Sequence, residues 1–545
     1  MKSFDKSNSF SCLKNYIIND PIIDYFNSKK HDYQCDDQSY YKEYILKESI
    51  DYKKKIFRTI QRLSNLKNVS CNHSVDSTIK SIQENDLLII QGKLYDKTHD
   101  LIVNCDLIIK YELFIKIFPK ISNLPFHLYF KKNDYLLINL SYSTIHFKID
   151  LKDIYNDHLI FYKKCELYFF QRIFNQYTNY KSKCFILGKE YKFKNIFLDK
   201  KEFIGYVTID NKIKNKVNEA IKWVNYLKKN EDQLKLYPYP SCNEMYPNMN
   251  YKESGWENEK LKLANKIKEI TLVWNISYDQ RCEFLNQNIK CWDDPQLLKV
   301  LKDTKNKNIQ EEMIHINQQN DIFISPRKSI SHLFKSILSH SDQDIFFDIE
   351  SFLSFDEKQS LFNTTINKEN KPTIAIIGCI HNNIYKDFTI QKYSVQSEKK
   401  CIQNFSKYLF HISQGKILKL YHWGHAEYNY FQYMKNNYPL ISFPEIQLIN
   451  VLDYFRTEPI IIQGIFNFGL KSIGSALYKH KFIKTTWNKN DNGLETMLRF
   501  KEICIHHNRL IPLKRYVEVK EIIEYNRIDC QVLYEIVDLL RNKYI

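Results

Sequence analysis

Of all the segments in this 545-residue chain, DIFFDIE at 344–350 leaves it the fewest ways to fold. An apolar run ends on Asp348 and Glu350, two residues apart. In a strand the side-chain period is two, so both carboxylates lie on one face. Like charges held that close repel each other unless a cation lies between them. The acidic end of this strand is thus a candidate metal site, whose other ligands the rest of the chain has to supply; alone, such a pair is more often solvated.

Two later segments offer those ligands. Glu427 lies in YHWGHAEYNYF, just after the strand-like run ILKLYHW, and Tyr525 and Asp529 lie in YNRID, within the helical pattern EIIEYNRIDCQVLYEIVDLL. A four-residue step returns to one helix face, so the phenol and the carboxylate point the same way. The chemistry that needs this set is two-metal phosphodiester hydrolysis, in which cations ~4 Å apart bind the scissile phosphate and lower the pKa of a water. Carboxylates and waters suit Mg²⁺, and Mn²⁺ often replaces it. His422 and His425 stand at i,i+3 and form a second possible metal pair, although a structural or substrate-side role is favoured for them.

Taken in order, the three motifs resemble those of the DEDD exonucleases, which have an RNase H-like fold. The resemblance implies that Asp348, Glu350, Glu427 and Asp529 bind two Mg²⁺ or Mn²⁺ ions and that Tyr525 places the attacking water. The family has Asp at the middle position, where this chain has Glu427 with an extra methylene. Asp453, in NVLDYF, is the fallback ligand. GLKSIG at 469–474 is similar to the segment that leads toward the last helix in such proteins.

Upstream, residues 1–70 have helical patterning. From about 86 the texture changes to short strand-like runs, DLLIIQGKLYD, LIVNCDLIIK, FHLYFKK and DYLLINLSYSTIHFKI. A helical stretch, LIFYKKCELYFFQRIF, and a further strand, CFILGKEYKF, complete an α/β order. This part resembles the RecB-like branch of the PD-(D/E)XK nucleases, most closely the group in which such a domain is fused to an RNase H-like exonuclease domain. Asp106 matches the family's strand Asp, and Tyr168 matches its helix Tyr. Asn139 and Ser141 occupy the carboxylate and lysine positions, Lys164 replaces the Gln, and Lys53 stands at the helix Glu. A neutral Asn cannot hold a hard cation and a Ser cannot polarise water as Lys does, so this domain is expected to be catalytically degenerate. The alternative placement uses Asp134 or Asp150.

The expected architecture is α/β throughout. It comprises a degenerate PD-(D/E)XK domain at 1–211, a helical connector at 212–303, a linker at 304–340 and an RNase H-like exonuclease domain at 341–545. Trp274 and Trp292 in the connector are either base-stacking or core aromatics.

The net charge of +17, from 80 Lys+Arg against 63 Asp+Glu, points to a polyanion. Nucleic acid is preferred over a membrane surface. No apolar run reaches the ~18 residues of a membrane span, the start is polar, and the 13 cysteines contain no CxxC pair. A soluble intracellular protein with reduced thiols is expected, cytoplasmic or nuclear, or in the host cytoplasm for a viral source. The expected activity is 3′-5′ exonucleolytic cleavage of single-stranded DNA, with DNA preferred over RNA and a helicase or another replication or repair protein as partner. The alternatives are a non-catalytic nucleic-acid-binding scaffold and an active N-terminal endonuclease.

Overall fold

The computed structural model describes residues 9–36, 39–65, 69–71, 74–121, 130–194, 196–252, 255–301, 306–319, 321–326, 329–353, 372–488, 493–506 and 511–544. The protein is mixed α/β, with two large mixed sheets. The described residues divide into two compact units, one up to Glu269 and one from Ile270 onward.

The first unit is built on α1 (Tyr40–Ser64), β1 (Leu88–Asp96), β2 (Leu101–Lys110), β3 (Tyr135–Phe147), α2 (His158–Phe174), β4 (Ser182–Phe193) and α3 (Asn211–Asn230). Strands β1, β2 and β3 pair antiparallel in sequence order, and β3 pairs parallel with β4. A parallel pair needs a crossover, which α2 supplies. Asp157 caps α2 by accepting from the Ile160 N–H at 2.7 Å. The helix sinks Ile160, Leu167, Phe169, Phe170 and Phe174 into the core. The central strand β3 is buried along YLLINL, as expected where both faces are covered, and Asn139 is the polar exception. In the expected strand FHLYFKK, residues 126–129 lie outside the described residues and 130–132 form no strand.

The second unit contains β5 (Asp344–Leu353), β6 (Pro372–His381), β7 (Ile384–Thr389), α4 (Val395–Ser413), β8 (Leu418–His422), α5 (Ala426–Asn437), β9 (Ile446–Asn450), α6 (Leu470–Lys479), α7 (Gly493–His506) and α8 (Val517–Tyr544). The sheet order is β7-β6-β5-β8-β9. Pairing is antiparallel from β7 to β5 and parallel from β5 to β9. Helix α8 packs on β5 and β6, which brings the end of the chain onto DIFFDIE.

Two expected boundaries are corrected. The 212–303 stretch is not a separate connector. Helix α3 buries Ile213, Val217 and Ala220 in the first unit's core, while Ile270, Val273, Ile276 and Trp292 cluster with Ile314 in the second. Nor is 304–340 a linker, since it contains helix Lys307–Gln318 with Ile309, Met313, Ile314 and Ile316 buried. These few apolar residues at helical spacing make an amphipathic helix that the polar composition hides. Trp274 and Trp292 pack on Phe468 and Phe466, with ring centroids 5.2 and 5.1 Å apart. No helix among the described residues is long and apolar enough to cross a membrane. Every cysteine whose side chain is described is a free thiol.

Candidate metal centre

The packing of α8 on β5 brings Asp348, Glu350 and Asp529 together, and each offers a carboxylate oxygen within 4.8 Å of the other two. Glu427, in the first turn of α5 just beyond β8, is the neighbouring fourth carboxylate. It is 6% exposed, and its charge is felt by Glu350 while it feels that of Asp348. Glu427 Oε2 is buried with no hydrogen-bond partner among the described residues. His422 Nδ1 is 3.9 Å away, beyond hydrogen-bonding reach.

Burial, the largest cause, pushes all four carboxyls up; repulsion from neighbouring acids adds to it at Glu350, Glu427 and Asp529, while hydrogen bonds oppose it at Asp348. Glu350 lies well above the usual carboxylate range through burial, then Asp348, Asp529 and Glu427. Asp529 does so through burial and then Asp348. Burial raises Asp348 to about 6, and burial with Asp348's charge raises Glu427 to about 8. The triad of Asp348, Glu350 and Asp529, with the orphaned oxygen of Glu427 as its neighbour, could hold a hard divalent cation, which would relieve the repulsion and accept oxygen donors. Lys471, on α6, acts in the same sense on Glu350 and Asp529.

Several side chains hold this arrangement without having been expected to. Asn526 Nδ2 donates to Asp348 Oδ2 at 2.7 Å, and the Tyr385 hydroxyl donates to Asn526 Oδ1 at 2.9 Å. Gly378 stands opposite Asp348 in the β5–β6 register, and a Cβ there would lie 1.6 Å from Asn526 Oδ1. The absent side chain is what lets the amide reach across. Trp487 Nε1 donates to Asp529 Oδ1 at 2.7 Å. Tyr525 hydrogen-bonds Asp529, and Lys471 Nζ lies 4.6 Å from the Tyr525 ring centroid. Asn526 was within reach of sequence reasoning, since it stands beside Tyr525 in YNRID. Nothing in the local sequence marks Trp487 or Gly378.

Asp453 stands apart from the three-carboxylate group. Its side chain is 51% exposed, and its Oδ1 lies 4.0 Å from His425 Nε2, itself at the surface. His422 turns inward, with Nδ1 2.9 Å from the Gly424 carbonyl, and burial lowers its pKa to about 4. Its ring is therefore neutral and donates to that carbonyl. His422 is thus engaged by a backbone carbonyl, while His425 lies at the surface beside Asp453.

In the first unit, Asp106 accepts from Lys53 Nζ through both oxygens, at 2.7 and 2.9 Å, and from the Leu140 N–H at 2.8 Å. Asn139 Oδ1 accepts from the Asp106 N–H, and Asn139 Nδ2 donates to Glu166 Oε2 at 2.8 Å. Burial raises Glu166 to about 7, opposed first by Lys163. The cation facing Asp106 is thus an ammonium of the chain itself. Lys164, expected here, is elsewhere. It donates to the Ile154 carbonyl at 2.9 Å, and burial lowers its pKa to about 8. The reason is helical phase: Lys164 and Glu166 are two residues apart, hence about 200° around α2. Ser141 pairs with Ser143 at 2.7 Å, and Tyr168 packs against the core. Neither alternative acid joins the Asp106 network. Asp134 accepts from the Lys131 and Lys181 N–H groups, and Asp150 from those of Lys152 and Asp153.

No protein-family model, curated protein or solved structure matches this chain.

Proposed function

We propose that the second unit is a metal-dependent phosphodiester hydrolase with an RNase H-like, DEDD-type site, which removes nucleotides from the 3′ end of single-stranded DNA. The observation that carries this reading is the convergence of Asp348, Glu350 and Asp529 within 4.8 Å. The unpartnered oxygen of Glu427 beside them supports it. Four carboxylates suit a pair of Mg²⁺ or Mn²⁺ ions. When bound, such ions lower the pKa of water and neutralise charge on the scissile phosphate.

The chain's own residues do the remainder. Asp348, Glu350, Glu427 and Asp529 supply the oxygens. Asn526 and Trp487 each engage one oxygen of an aspartate, which fixes how Asp348 and Asp529 present the other. The Tyr525 hydroxyl orients the attacking water, and the Lys471 ammonium draws a phosphate toward the acids. The net charge of +17 favours a polyanionic substrate. In the first unit, with the Lys53 ammonium where a metal ion would face Asp106, a RecB-like domain serves binding or architecture and performs no cleavage.

The test is incubation of the full chain with 3′- or 5′-labelled single-stranded DNA in Mg²⁺ or Mn²⁺. Stepwise shortening from the 3′ end, abolished by Asp348→Asn and by Asp529→Asn, is the expected result. No cleavage by the unaltered chain in either metal leaves a nucleic-acid-binding scaffold as the reading. Nicking of circular DNA that survives Asp348→Asn and is lost in Asp106→Asn assigns the activity to the first unit.

A further inference from the structure

We infer that the exposed ridge of α6 is a track for the single strand that leads into the carboxylate centre; this rests on the hydrolase reading above. Helix α6 has two faces. Ile473, Ala476 and Leu477 turn into the core, whereas Lys471, Ser475 and Lys479 follow one another at four-residue steps and so line one ridge. With Ser472 and Gln463 they surround an open pocket of ≈ 440 Å³ that also touches Ile465 and Ala476. Its size falls within the ~300–1,000 Å³ of small-ligand sites.

The pocket's chemistry is the reverse of its neighbour's. It has two ammonium groups, two hydroxyls and an amide, and none of its lining residues is acidic. Lys471 belongs to both places. It lines the pocket, and its charge acts on Glu350 and Asp529 while its ammonium sits 4.6 Å from the Tyr525 ring. A ligand here is therefore continuous with one at the carboxylates. From Lys471 to Lys479 the helix rises by about 12 Å, at ~1.5 Å per residue. A lone phosphate cannot span that distance, but a chain of phosphodiesters can. Lys and Ser groups would meet the phosphates, and Ile465 would meet the sugar or base.

The test measures binding of a fluorescent 20-nucleotide single strand to the full chain by anisotropy, at several salt concentrations, with Asp348→Asn present throughout to prevent cleavage. Loss of one phosphate contact should reduce the slope of log K against log salt by about 0.7. That reduction is expected for Lys479→Ala, and a larger loss of affinity for Ser475→Glu, which puts a carboxylate in the track. Lys400→Ala, on the exposed face of α4, should leave the slope unchanged. Without Asp348→Asn, Lys479→Ala should hydrolyse the p-nitrophenyl ester of thymidine 5′-phosphate as the unaltered chain does, because so small a diester reaches only the carboxylates. Slopes unchanged in both ridge variants overturn the track, as does an equal effect from Lys400→Ala. Competition by a mononucleotide as strong as that by the 20-mer, at equal nucleotide concentration, overturns it too. Weakened strand binding by a protein that never cleaves upholds the track and removes the hydrolase reading. Cleavage with unaltered slopes does the opposite.

Discussion

Asp348 and Asp529 each have one oxygen held by a neutral donor, Asn526 Nδ2 and Trp487 Nε1 respectively. Each donor therefore fixes a carboxylate without supplying the charge it lacks. Gly378→Ala tests this support, because its Cβ would lie 1.6 Å from Asn526 Oδ1. We expect overpacking to cost about 1–3 kcal/mol in thermal unfolding, and Mn²⁺ affinity by calorimetry to fall about 10–100-fold. Trp487→Phe keeps the bulk and removes the N–H, so metal affinity should fall by a similar factor with little change in Tm. In the first unit, Lys53→Met leaves Asp106 without its cation. The pair is partly exposed, at 32% and 13%, so the loss should be about 1–2 kcal/mol, between surface and buried pairs. Added Mn²⁺ should not restore it. Asp348 and Glu350 were legible because a period of two places them on one face of an apolar strand. Gly378 was not, since its role depends on Asn526, 148 residues away.

At the scale of elements, the site depends on how closely three segments approach α8. Strand β5 brings Asp348 and Glu350, and α6 and the segment after it bring Lys471 and Trp487. At Gly474 a Cβ would lie 2.7 Å from Val532 Cγ1 and 2.8 Å from the Trp487 ring. Gly474→Ala should therefore push α6 off α8 and shift Trp487 from Asp529. The expected result is lower stability together with weaker Mn²⁺ binding, whereas a merely stabilising Gly-to-Ala change in a helix would raise Tm. The long final helix was legible from its apolar spacing, as was the strand ILKLYHW before Glu427. Helix Lys307–Gln318 was not, because its few apolar positions sit in a polar background that reads as linker. Lys164 shows the same limit at finer grain: sequence order placed it near Asp106, and helical phase turned it away.

At the scale of the whole molecule, buried acids set the response to pH and metal. In the first unit Asp24 accepts from Asn15 Nδ2 at 2.7 Å and Trp223 Nε1 at 3.0 Å, and burial raises its pKa to about 7. The folded state thus holds a proton that the unfolded chain releases near pH 4. This contribution to stability is complete below pH 4 and is lost as pH rises toward 7. A plot of Tm against pH should fall across that window, and Asp24→Asn should flatten it. The second unit should respond to metal: Mn²⁺ at 100 times its Kd should add about 2.7 kcal/mol of stability, and Asp348→Asn should abolish the gain. The sequence by itself determined the α/β class, the apolar strands and helices, and the acids at their ends, because periodicity and charge are local properties. The tertiary structure alone decided what surrounds those acids: the buried Glu427 and not the exposed fallback Asp453 near the Asp348, Glu350 and Asp529 group, an ammonium beside Asp106, and two neutral donors locking the aspartates. Those outcomes depend on approaches of a few ångströms between segments distant in the chain, and local patterns of side chains do not encode such distances.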